Sequence, residues 1–119
     1  IAHKDEMVAE TLLSIAQAEG LALVGLPNSL MHRLAGGRVR MISEGYADRA
    51  YRPDGSLVPR SEPGAILHSL EESLSQVLAL VQRGIETICI HGDHPEAVTF
   101  AKELRTKLEE IGFTLRAFA

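Results

Sequence analysis

The chain has little of several things that mark other protein classes. Its 119 residues include one cysteine, no tryptophan, two tyrosines and three phenylalanines. Cys89 alone cannot close an internal disulfide, which excludes a disulfide-stapled scaffold and suits a reducing, cytoplasmic compartment. No apolar run approaches the ~20 residues of a membrane span, and the longest, Leu21–Leu26, is strand-sized. Basic residues do not outnumber acidic ones: 12 stand against 16, for a net charge of −4. The basic footprint of a nucleic-acid binder is therefore missing. No Gly-x-Gly-x-x-Gly occurs, and Gly36-Gly37-Arg38 lacks the Gly-Lys-Ser/Thr that a phosphate loop needs at a helix entrance. The opening residues, Ile1 to Glu6, are mostly polar and predict no secretory leader; a chain that opens on Ile is expected to be a processed product or a fragment.

What is present describes a globular α/β chain. Hydrophobic residues make up 45% and charged residues 24%, and one domain of this length buries roughly two-thirds of its unfolded surface. From Lys4 to Glu19, Val8, Leu12, Ile15 and Ala16 recur at helical spacing, and Gly20 stops the run. Leu21–Leu26, closed by Pro27, predicts a buried strand. Ser29 caps a short helix over Leu30–Ala35, and Val39–Glu44 alternates as a second strand. Ser69 with Glu72 forms a capping box that opens a helix to Arg83, with Leu70, Leu74, Val77, Leu78 and Val81 inward. Glu86–His91 predicts a third strand. Asp93 and Pro95 then open a helix that turns Val98, Ala101, Leu104 and Leu108 inward as far as Gly112. Phe113–Phe118 predicts a last strand.

Residues 45–68 break the pattern. They hold Gly45, Pro53, Asp54-Gly55, Pro59 and Pro63-Gly64 without a sustained period, and they carry both tyrosines, Tyr46 and Tyr51. A stretch of this length inside a compact domain is functional or disordered, and aromatic residues argue for an ordered loop.

Helices alternating with strands, with no hairpin signal between them, imply parallel βαβ units. Four such units make a small open sheet or half of a (β/α) barrel, and in both the ligand site lies at the carboxyl ends of the strands. That rule selects two places: the loop after Glu44, and His91-Gly92-Asp93-His94 after the third strand. The loop interleaves Glu44, Asp48, Asp54 and Glu62 with Arg49, Arg52 and Arg60. Arginines grip carboxylates or phosphates with planar forks, and carboxylates act as bases where their surroundings permit. The plainer alternative is a solvated loop whose opposite charges pair with each other at little gain. For His91 and Asp93 the plainer alternative is a hydrogen-bonded core histidine beside a helix cap. His3, His32 and His68 have no acidic or cysteine partner at ligand spacing and read as surface or satisfied histidines. Cys89, between Ile88 and Ile90, reads as a structural thiol, and no metal-ligand set stands out.

Two stretches carry a resemblance. Glu44-Gly45-Tyr46-Ala47-Asp48-Arg49-Ala50-Tyr51, continued by Asp54-Gly55-Ser56-Leu57-Val58-Pro59-Arg60, and Thr87-Ile88-Cys89-Ile90-His91-Gly92-Asp93 resemble the LamB/YcsF family of 5-oxoprolinase A subunits. The resemblance covers nearly all 119 residues but only the back half of the family protein. It departs at Arg83-Gly84-Ile85, where the family carries a longer connection, and at Tyr46, where Phe is more usual. It implies part of a distorted TIM-like barrel, with residues 1–119 its C-terminal half. It also implies opening of the 5-oxoproline lactam to glutamate coupled to ATP hydrolysis, with ATP and Mg as cofactors and B and C subunits as partners. A lactam is a poor electrophile, so the reaction needs an activated water, an acid for the leaving nitrogen and a cation for the substrate carboxylate.

On that resemblance Glu44, Asp48 and His91 are the candidate bases and acids, with Asp93 orienting His91. Arg49 and Arg60 are the candidate anion holders, and Tyr51 a donor near the ring. Three alternatives stand beside it: a metal-dependent deacetylase-like hydrolase on the same barrel, a non-catalytic α/β binding subunit, and a self-contained open-sheet domain.

Overall fold

The computed structural model describes residues 5–118. Among these, seven elements follow in order: α1 (Glu6–Glu19), β1 (Leu23–Gly25), α2 (Leu30–Ala35), β2 (Met41–Tyr46), α3 (Leu70–Gln82), β3 (Thr87–Cys89) and α4 (Ala97–Ile111). The strands lie in the order β1-β2-β3. Leu23, Val24 and Gly25 pair in parallel with Met41, Ile42 and Ser43. Glu86 N donates to Ser43 O and Ala47 N to Cys89 O, so β2 and β3 also advance in the same direction. The expected α/β alternation with parallel strands is what the chain forms.

The chain divides into two compact units, the residues up to 45 with 84–87, and residues 46–83 with those from 88 onward. In the first, α1 packs on α2 through Ala9, Leu13, Ala16, Met31 and Ala35, with Val39 beneath. Asp5 caps α1 by accepting from Val8 N, and Gly20 ends it at φ 66°, a left-handed conformation that glycine adopts without cost. Ser29 caps α2 as expected, accepting from His32 N. In the second unit, α3 packs on α4 around Ala47, Val77, Leu104 and Leu108, with Leu70, Leu74, Leu78 and Val81 partly buried beside them. Ser69 accepts from Glu72 N at the start of α3, the predicted cap.

Several expectations need correction. His3 and Lys4 lie outside the described residues. On α1 the buried stripe is Ala9, Leu13 and Ala16, while Leu12 and Ile15 face outward. Val24 and Leu21 are exposed: β1 ends the strand order among the described residues, and Leu21 lies ahead of it. Phe113–Phe118 forms no strand: its alternation fits one, but no ladder partner is offered to it among the described residues. Asp93 caps nothing. Helix α4 starts two residues after Pro95, with Glu96 at its N-cap and no side-chain cap bond, and Val98 is 68% exposed.

Candidate functional site

The second unit builds a site around His91. The bond from Ala47 N to Cys89 O, 3.0 Å, sets the backbone that follows β2 beside the end of β3. The next residue, Asp48, is 4% exposed and turns its carboxylate onto His91. Its Oδ2 accepts from His91 N and its Oδ1 from His91 Nδ1, each at 2.8 Å. A carboxylate can only accept, so the proton sits on Nδ1, and in the neutral ring Nε2 carries the lone pair. The tautomer is assigned from this bond. Tyr46 stacks on the imidazole, with ring centroids 5.3 Å apart and planes at 14°. The ring is thus held by a hydrogen-bonding carboxylate and an aromatic face, both from one short segment.

The long loop is ordered, as expected. Antiparallel bridges join Arg49 to Ile66 and Tyr51 to Leu57, and Leu67 N donates to Asp48 O at 2.9 Å. Asp54 closes the turn by accepting from Ser56 N and Ser56 Oγ, and those bonds hold its carboxyl below the usual range. Arg52 pairs with Glu62 at 2.9 Å, the self-paired arrangement of a solvated loop.

A cavity of about 270 Å³ opens beside His91. Asp48, Arg60 and Asp93 share its wall with Leu67, His94 and Phe100. Arg60 Nη1 donates to Asp93 Oδ2 at 2.9 Å across the rim, both side chains being exposed. That hydrogen bond, more than any other influence, holds the Asp93 carboxyl below its usual range. Asp93 therefore partners Arg60, and the carboxylate that orients His91 is Asp48.

The seven candidates separate accordingly. Asp48, His91, Asp93 and Arg60 share the cavity. Arg49 donates from Nη2 to Val58 O at 2.8 Å, and Tyr51 Oη accepts from Tyr46 N at 2.8 Å; neither lines the cavity. Glu44 belongs to β2 in the first unit and is not among the lining residues. Sequence reasoning missed Gln76, whose side-chain amide holds the backbone of residues 46–49. It also missed Phe100, which lines the cavity and meets His94 of the selected stretch edge to face at 6.4 Å. His68, expected at the surface, is exposed and lies on the rim. Among the described residues no group of three or more His, Cys, Asp or Glu is arranged to hold a metal ion. No helix of the described residues is long and apolar enough to cross a membrane.

The LamB/YcsF family model matches residues 1–119, the whole chain. The chain belongs to the LamB/YcsF family. It is 41% identical to the 5-oxoprolinase A subunit of Haemophilus influenzae (strain PittEE), over 92% of this chain and 51% of that protein. It is 40% identical to the protein of the same name in Pyrococcus furiosus, over 89% of this chain and 50% of that one. Among solved structures it resembles the lactam utilization protein of Thermus thermophilus, with TM-score 0.76 and 31% identity over 93% of this chain and 49% of that one. The chain spans about half the length of the curated relatives it matches. The parallel helix–strand units and this likeness are consistent with part of a TIM-like barrel.

Proposed function

We propose that this LamB/YcsF chain is the C-terminal half of a barrel subunit that opens the lactam of 5-oxo-L-proline to L-glutamate. In this reading the subunit is cytoplasmic and works in an ATP-dependent 5-oxoprolinase assembled with B and C partner subunits. The names of its relatives support the substrate class. The observation that carries the reading is the Asp48–His91 pair on a small cavity beside Arg60.

In this mechanism His91 Nε2 takes a proton from water as the oxygen attacks the ring carbonyl carbon. The same nitrogen then returns the proton to the ring nitrogen as the C–N bond breaks. Asp48 stabilises the imidazolium formed between the two steps and keeps Nδ1 protonated throughout. Arg60 holds the substrate carboxylate; a guanidinium has five N–H donors, and the bond to Asp93 uses Nη1. Arg49 and Tyr51 shape the loop that presents Asp48, and Glu44 lies outside this set.

The cavity suits a small ring with one carboxylate. The reading assigns ATP and its Mg to another site of the assembled enzyme.

The test is 5-oxoproline-dependent phosphate release by the protein assembled with its B and C partners. The reading expects turnover that His91→Ala abolishes and for which Arg60→Ala raises KM. An intact assembly that releases no phosphate in response to 5-oxoproline overturns it.

A further inference from the structure

We propose that Gln76 is a positioning residue for His91, acting through the backbone of residues 46–49. The inference rests on the proton-transfer role proposed for His91. Gln76 projects from the middle of α3, and its Nε2 donates to Tyr46 O and to Arg49 O, each at 2.7 Å, with Ala47 O at 3.5 Å. An amide nitrogen has two hydrogens, and the two short bonds engage both. All three partners are carbonyls, so the amide has only one orientation that satisfies them.

The clasped segment is the one that fixes the imidazole. Tyr46 supplies the ring stacked on His91, and Asp48 supplies the carboxylate on Nδ1. On the inner side the segment rests on the α3–α4 core through Ala47, which packs with Val77. Gln76 thus ties the segment to the helix beneath it from both ends, Tyr46 and Arg49. Without this clasp the carbonyls of Tyr46 and Arg49 lose a donor, and the backbone is free to rotate toward another one. The Asp48 carboxylate then no longer sits squarely on Nδ1, and His91 loses its fixed tautomer and the partner that faces its protonated form. A residue in this role changes the chemical step more than substrate binding.

The test uses the protein assembled with its B and C partners and two variants of similar length, Gln76→Met, with no donor, and Gln76→Glu, whose carboxylate cannot donate. Imidazole ¹⁵N resonances read the His91 tautomer and titration; steady-state kinetics read kcat, KM and the pH profile. The expected result is an Nδ1–H tautomer in the unsubstituted protein and a mixed tautomer in both variants. With it come a roughly 10- to 100-fold fall in kcat, a displaced acidic limb and little change in KM. In Gln76→Glu, protonating the new carboxyl restores one donor, so its deficit shrinks as pH falls. Gln82→Met, an exposed position at the end of the same helix, leaves every readout unchanged. If Gln76→Met does not fold, the pH-dependent recovery of Gln76→Glu decides. An unchanged tautomer and titration in the folded variants overturn the proposal. The resonances decide this without turnover, so an assembly inactive on 5-oxoproline sinks the lactam reading and leaves the Gln76 result standing on its own.

Discussion

Asp48 grips His91 twice, with Oδ2 on the backbone N and Oδ1 on the ring Nδ1, both at 2.8 Å. One buried carboxylate therefore sets where the chain leaves β3 and which ring nitrogen keeps its proton. The first effect is structural and the second chemical, so substitutions at Asp48 separate them.

Asp48→Asn keeps the shape but offers an amide that can donate to Nδ1, which moves the ring proton to Nε2. The expected loss is about 10²- to 10⁴-fold in kcat, the usual worth of a positioned base, with KM for 5-oxoproline little changed. Asp48→Ala also strands the His91 backbone N–H and costs about 1–3 kcal/mol of stability. Steady-state kinetics and urea unfolding of the two variants check this; equal unfolding midpoints for Asn and Ala contradict it.

Arg60 and Asp93 form an exposed pair at the cavity rim. Exposed pairs add little to stability, so neither Arg60→Ala nor Asp93→Asn moves the unfolding midpoint measurably. Their effects on substrate binding are opposite in sign. Arg60→Ala removes a charge-assisted contact and raises KM by roughly 10- to 100-fold. Asp93→Asn removes the carboxylate that competes for the guanidinium and lowers KM. Equal and parallel changes in both variants contradict the roles given to the pair.

The helices were legible because their signals are local. Ser29 and Ser69 cap where the spacing places them, and Gly20, Gly36 and Gly112 end their helices at positive φ. The family resemblance carried on residues 44–60 and 87–93 was legible for the same reason and holds over the whole chain. What pairs with what was not legible. Asp48 and His91 are 43 positions apart, and no spacing rule distinguishes Asp48 from Asp93, two positions from His91, as the ring's partner. Gln76 gave no signal because its partners are backbone carbonyls, which every residue has. Phe113–Phe118 misled because alternation records which residues are apolar, while a strand also needs a neighbour for its N–H and C=O groups.

His32 gives the fold a pH dependence apart from the site. Its Nδ1 lies 3.2 Å from Ser29 Oγ, and its Nε2 is buried with no hydrogen-bond partner among the described residues. Burial lowers its pKa from the ordinary 6.5, and nearby Glu86 offsets only part of that. The unfolded chain then binds the proton more readily than the folded one. Stability from this residue is complete above pH 6.5 and declines as pH falls below it toward the folded value. Urea midpoints from pH 8 to pH 5 are expected to fall further in the unsubstituted protein than in His32→Gln. A steeper fall in His32→Gln contradicts the sign.

The burial pattern of the helices predicts unequal costs for similar residues. Leu13 is fully buried between α1 and α2, and Leu13→Ala is expected to cost about 2–5 kcal/mol. Val98 is 68% exposed on α4, and Val98→Ala is expected to stay within about 0.5 kcal/mol. Thermal unfolding of the two variants checks the contrast, and comparable losses contradict the placement of α1 and α4.

The most direct test of the central claim, that Asp48 and His91 act as one proton-transfer unit, is a double-substitution cycle in the assembled enzyme. The kcat for 5-oxoproline-dependent phosphate release is measured for Asp48→Asn, His91→Gln and the pair together. Groups acting as one unit are strongly non-additive, so the double variant is expected to be no slower than His91→Gln alone. A double variant slower by the product of the two single effects contradicts the account.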